Sequence, residues 1–290
     1  MSYIGRFAPS PSGALHFGSL VAALGSYLQA KANNGLWLVR MEDLDPPREQ
    51  PGAAADILST LEKFGLHWDK TVVYQSQRHD LYQHYIDQWL ASGEAYYCQC
   101  TRKQIKVFDG YYPGTCRDKQ LSTKDTAIRI KVKQPELSFN DLHYGRVAIP
   151  SRLAEEDFII RRRDGLYAYN LAVVIDDIEQ GVTEVVRGAD LIEPTGRQIT
   201  LYKILEHQPV NYLHLPLAVN SEGNKLSKQN HAPAISEHDP VEMLILALQF
   251  LGLSPPMELR YQTTEATLNW AVHHWDISQL PNSTEVTSTF

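Results

Sequence analysis

Apolar positions along the first hundred residues alternate between two kinds of run. Residues 3–8 and 36–41 (LWLVRM) are short, nearly continuous apolar stretches of strand length, whereas Leu20, Val21, Leu24 and Leu28 recur at the spacing of one helical face over 18–33. Strand, helix and strand in that order predict a βαβ unit and a parallel sheet. A helix over 52–65, the strand-like VVYQS at 72–76 and a helix over 79–92 extend the pattern into the opening half of a doubly wound α/β fold. The alternation stops at 96–120, where cysteines, paired tyrosines, prolines and glycines take over, and IRIKV at 128–132 opens a stretch of more antiparallel character. It resumes with DFIIRRRDG (157–165), YNLAVVIDD (169–177), VTEVVRG (182–188), a helix over 196–207 and the strand-like LHLPLAV (213–219). The middle segment therefore reads as an insertion between two halves of one sheet. An amphipathic helix over 239–252 follows, and the polar ending NSTEVTSTF predicts disorder. The implied division is 1–95 and 151–230 for the two halves, 96–150 for the insertion, and 231–290 for a C-terminal helical segment with a polar tail.

Composition changes this picture in three places. The chain of 290 residues is 43% hydrophobic, ample for a packed core, yet no run approaches the length of a membrane span and the start has no secretory pattern. A cytoplasmic, monomeric protein with no membrane partner is expected. The net charge of −7 argues against a simple nucleic-acid-binding protein, but residues 102–133 carry nine basic and three acidic side chains, +6 against −13 for the remainder. That asymmetry marks the insertion as a phosphate-facing surface, unless it is merely a solvated face with few acids. Cys98, Cys100 and Cys116 are too few for a disulfide framework and too close together for chance, which suggests a metal; the alternative is three free thiols in a small apolar cluster.

Two segments carry the candidate chemistry. In RFAPSPSGALHFGSL (6–20), Pro9 and Pro11 interrupt regular hydrogen bonding, and Gly13 and Gly18 permit close backbone approach. A strand, a loop and a helix N-terminus in this order suit a phosphate, although a proline-rich turn in any α/β protein has the same form. In NSEGNKLSKQN (220–230), a tight turn precedes Lys225 and Lys228, two cations able to neutralise charge on a leaving pyrophosphate.

Taken together, His16-Phe17-Gly18-Ser19 and Lys225-Leu226-Ser227-Lys228-Gln229 resemble the two signature sequences of class I aminoacyl-tRNA synthetases. RFAPSPSG, RMEDLDPPR and VVRGAD resemble the glutamyl branch of that class, over about residues 5 to 230. The resemblance implies a Rossmann-type catalytic domain and an ATP site formed by Pro9, Ser10, Gly13, His16, Gly18 and Lys228, with Mg2+ carried by ATP. His16, Lys225 and Lys228 would be the catalytic residues. Arg6, Glu42, Tyr169 and Arg187 would bind L-glutamate, Glu42 taking the ammonium group and Arg187 the γ-carboxylate; an internal ion-pair set is the alternative for the charged members. The family's zinc segment implies one structural Zn2+ on Cys98, Cys100, Cys116 and Tyr112, the last preferred over Tyr111, His143 or water.

The sequence departs from the family in Ser12, where threonine is frequent, and in Gln229, where a basic residue is usual. Only about sixty residues follow the second signature, so no anticodon-binding domain is expected. A glutamyl core of this length is similar to the shortened paralogues that activate glutamate without tRNA and esterify it onto queuosine in the anticodon of tRNA(Asp). A minimal glutamyl-tRNA synthetase charging the 3′ end of tRNA(Glu), and an inactive paralogue that binds adenylate or tRNA, are the alternatives.

Overall fold

The computed structural model describes residues 2–220, 222–224 and 233–288. Lys225, Lys228 and Gln229 lie outside the described residues. The first half runs β1 (Ile4–Phe7), α1 (Phe17–Ala32), β2 (Leu36–Met41), α2 (Ala53–Lys63), β3 (Val73–Tyr74) and α3 (His79–Ser92), with β1, β2 and β3 parallel in that order. The insertion contributes β4 (Ala95–Cys98), the short α4 (Arg102–Lys106), β5 (Ala127–Ile130) and the hairpin β6 (Ser138–Asp141) and β7 (Gly145–Ala148); beyond its expected end come the short α5 (Ser151–Ala154) and β8 (Ile159–Arg161), which pairs back antiparallel onto β5 instead of resuming the parallel sheet. The second half continues with α6 (Tyr169–Glu179), β9 (Glu184–Gly188), α7 (Ile192–Ile204), β10 (Asn211–Leu215) and β11 (Leu217–Val219). It is followed by α8 (Pro240–Phe250), α9 (Thr264–His274) and β12 (Glu285–Thr287).

The two halves meet where β1 lies beside β9. Thr183 N donates to Ile4 O at 2.9 Å, and Ile4 N donates to Thr183 Oγ1 at 3.0 Å. From this seam the strands run outward on either side, β2 and β3 one way, β10, β6 and β7 the other. Such a reversal of strand order opens a crevice at the carboxyl ends of the strands, where ligands of doubly wound folds bind. Helix α1 covers the seam. Leu20, Leu24 and Leu28 are fully buried, and a Cβ at Gly25 would lie 2.5 Å from Leu215 Cδ1, so glycine lets the helix rest directly on β10. Helices α8 and α9 pack on its other side, with Phe250 edge-on to Phe17 at 5.7 Å. No helix among the described residues is long and apolar enough to cross a membrane.

Three departures from the sequence pattern have physical causes. LHLPLAV is not one strand: Pro216, with no N–H to give a ladder, ends β10, and β11 starts a separate ribbon. The ending is not disordered throughout, because Thr284–Ser288 finds the open edge of β11; β12 pairs with it in parallel, Val286 opposite Ala218, with Ser288 N donating to Val219 O at 2.8 Å. The β6–β7 hairpin, counted with the insertion, joins the main sheet through β10, while β4, β5 and β8 form the antiparallel sheet that IRIKV foreshadows.

Candidate active site and metal centre

Two cavities of about 600 and 580 Å³ open at the carboxyl ends of the central strands and share Ser10, Ser12 and Arg48. The loop after β1 divides them. It is pinned by Glu42 N donating to Pro9 O at 2.9 Å and Gln50 N donating to Pro11 O at 3.0 Å, which ties it to the RMEDLDPPR segment. Gly13, at φ +133, makes the bend that a side chain would strain.

Pro9, Ser10, His16 and Gly18 line the smaller cavity, together with Gly188 and Asp190 of the VVRGAD segment. His16 is the N-cap of α1, and its Nδ1 accepts from Ser19 N at 3.3 Å, which leaves the proton of the neutral ring on Nε2. Donor, helix N-terminus and loop backbone thus face one space, an arrangement suited to phosphate oxygens.

Glu42 and Tyr169 line the larger cavity. Behind them lies a buried charge network. Arg6 spans both oxygens of Asp177 at 3.1 and 3.3 Å, and Arg40 reaches Asp177 at 2.7 Å and Asp176 at 3.8 Å. Asp176 also accepts from Gln75, Arg78 and Tyr82. Arg6 is therefore engaged with an internal acid and lines neither cavity. Glu42 stands apart: its side chain is 9% exposed, Arg40 Nη2 is 3.9 Å away, and Oε1 is sealed from solvent with no hydrogen-bond partner among the described residues. Burial pushes its carboxyl up to about 7 against the opposing pull of Arg40 and Arg6. A carboxylate left in this condition fits a cationic guest.

Arg187, on β9, is 5% exposed and forms no ion pair among the described residues. Its partners are all neutral: His214 Nε2 at 3.1 Å, Gln198 Oε1 at 2.8 Å, Thr195 Oγ1 at 2.6 Å and Leu191 O at 3.1 Å. Glu42, Arg187 and Arg6 all act electrostatically on the Tyr169 hydroxyl, but of the four residues of the expected glutamate pocket only Glu42 and Tyr169 line the cavity; Arg187, like Arg6, lies behind it.

The cysteines gather on the insertion, their three sulfurs within 4.8 Å of one another and Cys100 and Cys116 3.5 Å apart. Burial and the neighbouring sulfurs push the Cys100 thiol up to about 12, as expected where a cation is needed to let several thiolates coexist. The Tyr112 hydroxyl accepts from Cys116 N at 2.7 Å and interacts with the Cys98 thiol, while the Arg129 guanidinium covers its ring at 3.8 Å. Tyr111 packs beneath Arg152 instead, and His143 Nε2 donates to Pro281 O at 2.9 Å on the main sheet. Three sulfurs gathered in this way are a donor set that could hold a metal ion.

The basic count of the insertion shrinks in three dimensions. Arg117 pairs with Asp157, Lys133 with Glu94, and Arg129 is buried against Tyr112 and Glu156. Arg102, Lys103, Lys106, Lys119 and Lys124 remain exposed without ion pairs among the described residues.

Comparison with known families decides what this site belongs to. The model described as "tRNA synthetases class I (E and Q), catalytic domain" matches residues 4–110 and 112–276. The chain belongs to the class I tRNA synthetases of the E and Q type. Relatives in this synthetase family include a protein of Photobacterium profundum, 64% identical over 99% of this chain and 93% of its own length. Another, from Vibrio cholerae, is 62% identical over 100% and 96%. Both are named "Glutamyl-Q tRNA(Asp) synthetase". Among solved structures, glutamate-tRNA synthetase from Elizabethkingia anophelis superposes with a TM-score of 0.81 at 24% identity, over 98% of this chain and 67% of that one, a likeness of fold. As a class I synthetase the enzyme is a ligase that uses ATP with Mg2+.

Sequence reasoning missed the buried half of this synthetase site. Arg40 and the Asp176-Asp177 pair sit inside apolar runs, LWLVRM and YNLAVVIDD, where charge at a strand or helix end reads as the edge of an element. Charges interrupting an otherwise apolar run were the available signal.

Proposed function

We propose that the chain activates L-glutamate with ATP to glutamyl-adenylate without tRNA, and then transfers the glutamyl group to queuosine in the anticodon of tRNA(Asp). The observation that carries the activation step is the buried Glu42 carboxylate, without a hydrogen-bond partner among the described residues, lining the cavity beside Tyr169, one loop away from the His16 helix terminus. Glu42 takes the α-ammonium group of glutamate and Arg187 its γ-carboxylate, while Arg6 holds the wall of the pocket through Asp177. A guanidinium with neutral partners favours glutamate over glutamine, since a charge-assisted bond contributes about 1.5–3 kcal/mol.

With glutamate so held, an α-carboxylate oxygen attacks the α-phosphorus of ATP and pyrophosphate leaves. Pro9, Ser10, Gly13 and Gly18 shape the nucleotide pocket, and His16 donates to phosphate oxygens. Lys225 and Lys228 neutralise the leaving group. Catalysis by this set is positioning and charge stabilisation. A hydroxyl of the queuosine diol then attacks the acyl carbon and AMP leaves. The acceptor is supported by the name shared by relatives 56–64% identical over nearly the whole chain. The test is transfer of labelled glutamate to tRNA(Asp) with and without queuosine, and to tRNA(Glu). Labelling only of queuosine-containing tRNA(Asp), abolished by prior periodate oxidation of the diol, is expected; labelling of tRNA(Glu) at its 3′ end would make the chain a minimal synthetase.

Cys98, Cys100, Tyr112 and Cys116 hold one structural Zn2+, which neutralises the clustered thiolates and fixes the insertion that presents Arg102, Lys103 and Lys106 to the tRNA. In this division of labour 1–95 and 151–230 activate glutamate, and 96–150 grips the nucleic acid. Cys98→Ser is expected to lose zinc by metal analysis and to weaken transfer to tRNA while glutamate-dependent ATP–pyrophosphate exchange is retained. Equal loss of both activities would contradict that division.

A further inference from the structure

We infer that Asp141 and His214 form a relay that positions Arg187 for the substrate side chain. The inference rests on the assignment of Arg187 to the γ-carboxylate. His214 is fully buried on β10, next to Arg187 on β9, where the two residues are register partners. Its Nδ1 lies 2.7 Å from Asp141 Oδ2, and its Nε2 lies 3.1 Å from Arg187 Nε. Arg187 Nε can only donate, so Nε2 must be the bare nitrogen and the ring proton must sit on Nδ1, donating to Asp141. The opposite tautomer would point Nε2–H at Nε–H.

Asp141 is built to hold that tautomer. Its Oδ1 accepts from His143 N and Tyr144 N, both at 3.0 Å, and its Oδ2 also accepts from His214 N at 3.1 Å. These bonds keep the carboxylate ionised. The arrangement separates orientation from charge balance. An acid placed directly on Arg187 would compete with the substrate carboxylate; an acid placed behind a neutral imidazole fixes the guanidinium without joining its ion pair. One Nη1 hydrogen of Arg187 then has no acceptor among the described residues.

The relay also gives the β6–β7 hairpin a purpose. Asp141 ends β6, and the turn after it is strapped by the C-terminal segment, His143 Nε2 donating to Pro281 O at 2.9 Å and the Tyr144 hydroxyl donating to Ser283 O at 3.1 Å. The chain thus returns from the insertion to deliver a positioning residue to the amino-acid pocket.

Asp141→Asn tests the relay, because an amide can donate to Nδ1 and move the ring proton to Nε2, against Arg187. The KM for glutamate in ATP–pyrophosphate exchange is expected to rise about 10- to 100-fold, with the KM for ATP unchanged and preference for glutamate over glutamine reduced in proportion. His214→Gln, whose amide oxygen can accept from Arg187 Nε, is expected to retain most of the glutamate affinity and to remain insensitive to a second Asp141→Asn change. An unchanged glutamate KM in Asp141→Asn, or glutamate and ATP constants that rise together with a falling Tm, would overturn the relay. Arg187→Lys separates the two levels. If it alters glutamate KM and glutamine discrimination while Asp141→Asn does not, only the relay fails; if it alters neither, the pocket assignment fails and the relay with it.

Discussion

Glu42→Gln is expected to lower glutamate-dependent ATP–pyrophosphate exchange by about 100- to 1000-fold without unfolding the protein. The carboxylate is buried with no hydrogen-bond partner among the described residues, so its loss removes a charge-assisted contact to substrate and, within the protein, only the 3.9 Å ion pair with Arg40. With its carboxyl raised to about 7, much of the substrate-free enzyme at neutral pH carries a proton on Glu42. Only the ionised form attracts an ammonium group, so the glutamate KM should fall as pH rises toward 7, by about tenfold per unit on the acid side. In Glu42→Gln that slope should vanish. The stability effect has the opposite sign to the activity effect. A carboxyl raised above its unfolded value favours the protonated folded state, and this advantage is lost as pH climbs through about 7, a cost of about 3 kcal/mol above that point. The glutamine variant should therefore match the parent in Tm at pH 4.5 and exceed it at pH 8. Exchange activity that survives the substitution would remove Glu42 from the pocket.

Arg187→Ala is expected to abolish glutamate activation, by more than about 1000-fold, and here stability falls as well. Removing the guanidinium deletes the only proposed partner of the γ-carboxylate and leaves His214, Gln198 and Thr195 with buried acceptors unpaired, at about 1–3 kcal/mol each. Exchange rates must accordingly be normalised to folded protein by thermal unfolding. Persistent activation of glutamate by folded Arg187→Ala would reassign the pocket.

How far the sequence could be read depended on how local the information was. The βαβ opening, α8 and the loop before His16 follow from spacing, proline and glycine within a dozen residues. The cysteine cluster was visible for the same reason, since Cys98, Cys100 and Cys116 are close in the chain as well as in space. What escaped depends on distant partners. Val286 becomes a strand residue only because β11 offers an edge, and Asp141 belongs to the main sheet through one register pair with Tyr212. The partner of Arg6, Asp177, lies 171 positions away in the chain. Residues whose charge is answered inside the protein, Arg117 and Arg129 included, cannot be distinguished by sequence from those that face solvent.

The seam between β1 and β9 sets an order of assembly. Tyr3 with Glu184, Ile4 with Thr183 and Arg6 with Asp177 close loops of 181, 179 and 171 residues, contacts whose chain-entropy cost precedes any reward. The first βαβ unit, with its phosphate-facing helix, can form before them; the walls that hold glutamate cannot. A half-folded chain therefore has nowhere to hold the amino acid. Glutamate activation is expected to appear only once the seam has closed, later than the formation of the phosphate-facing helix.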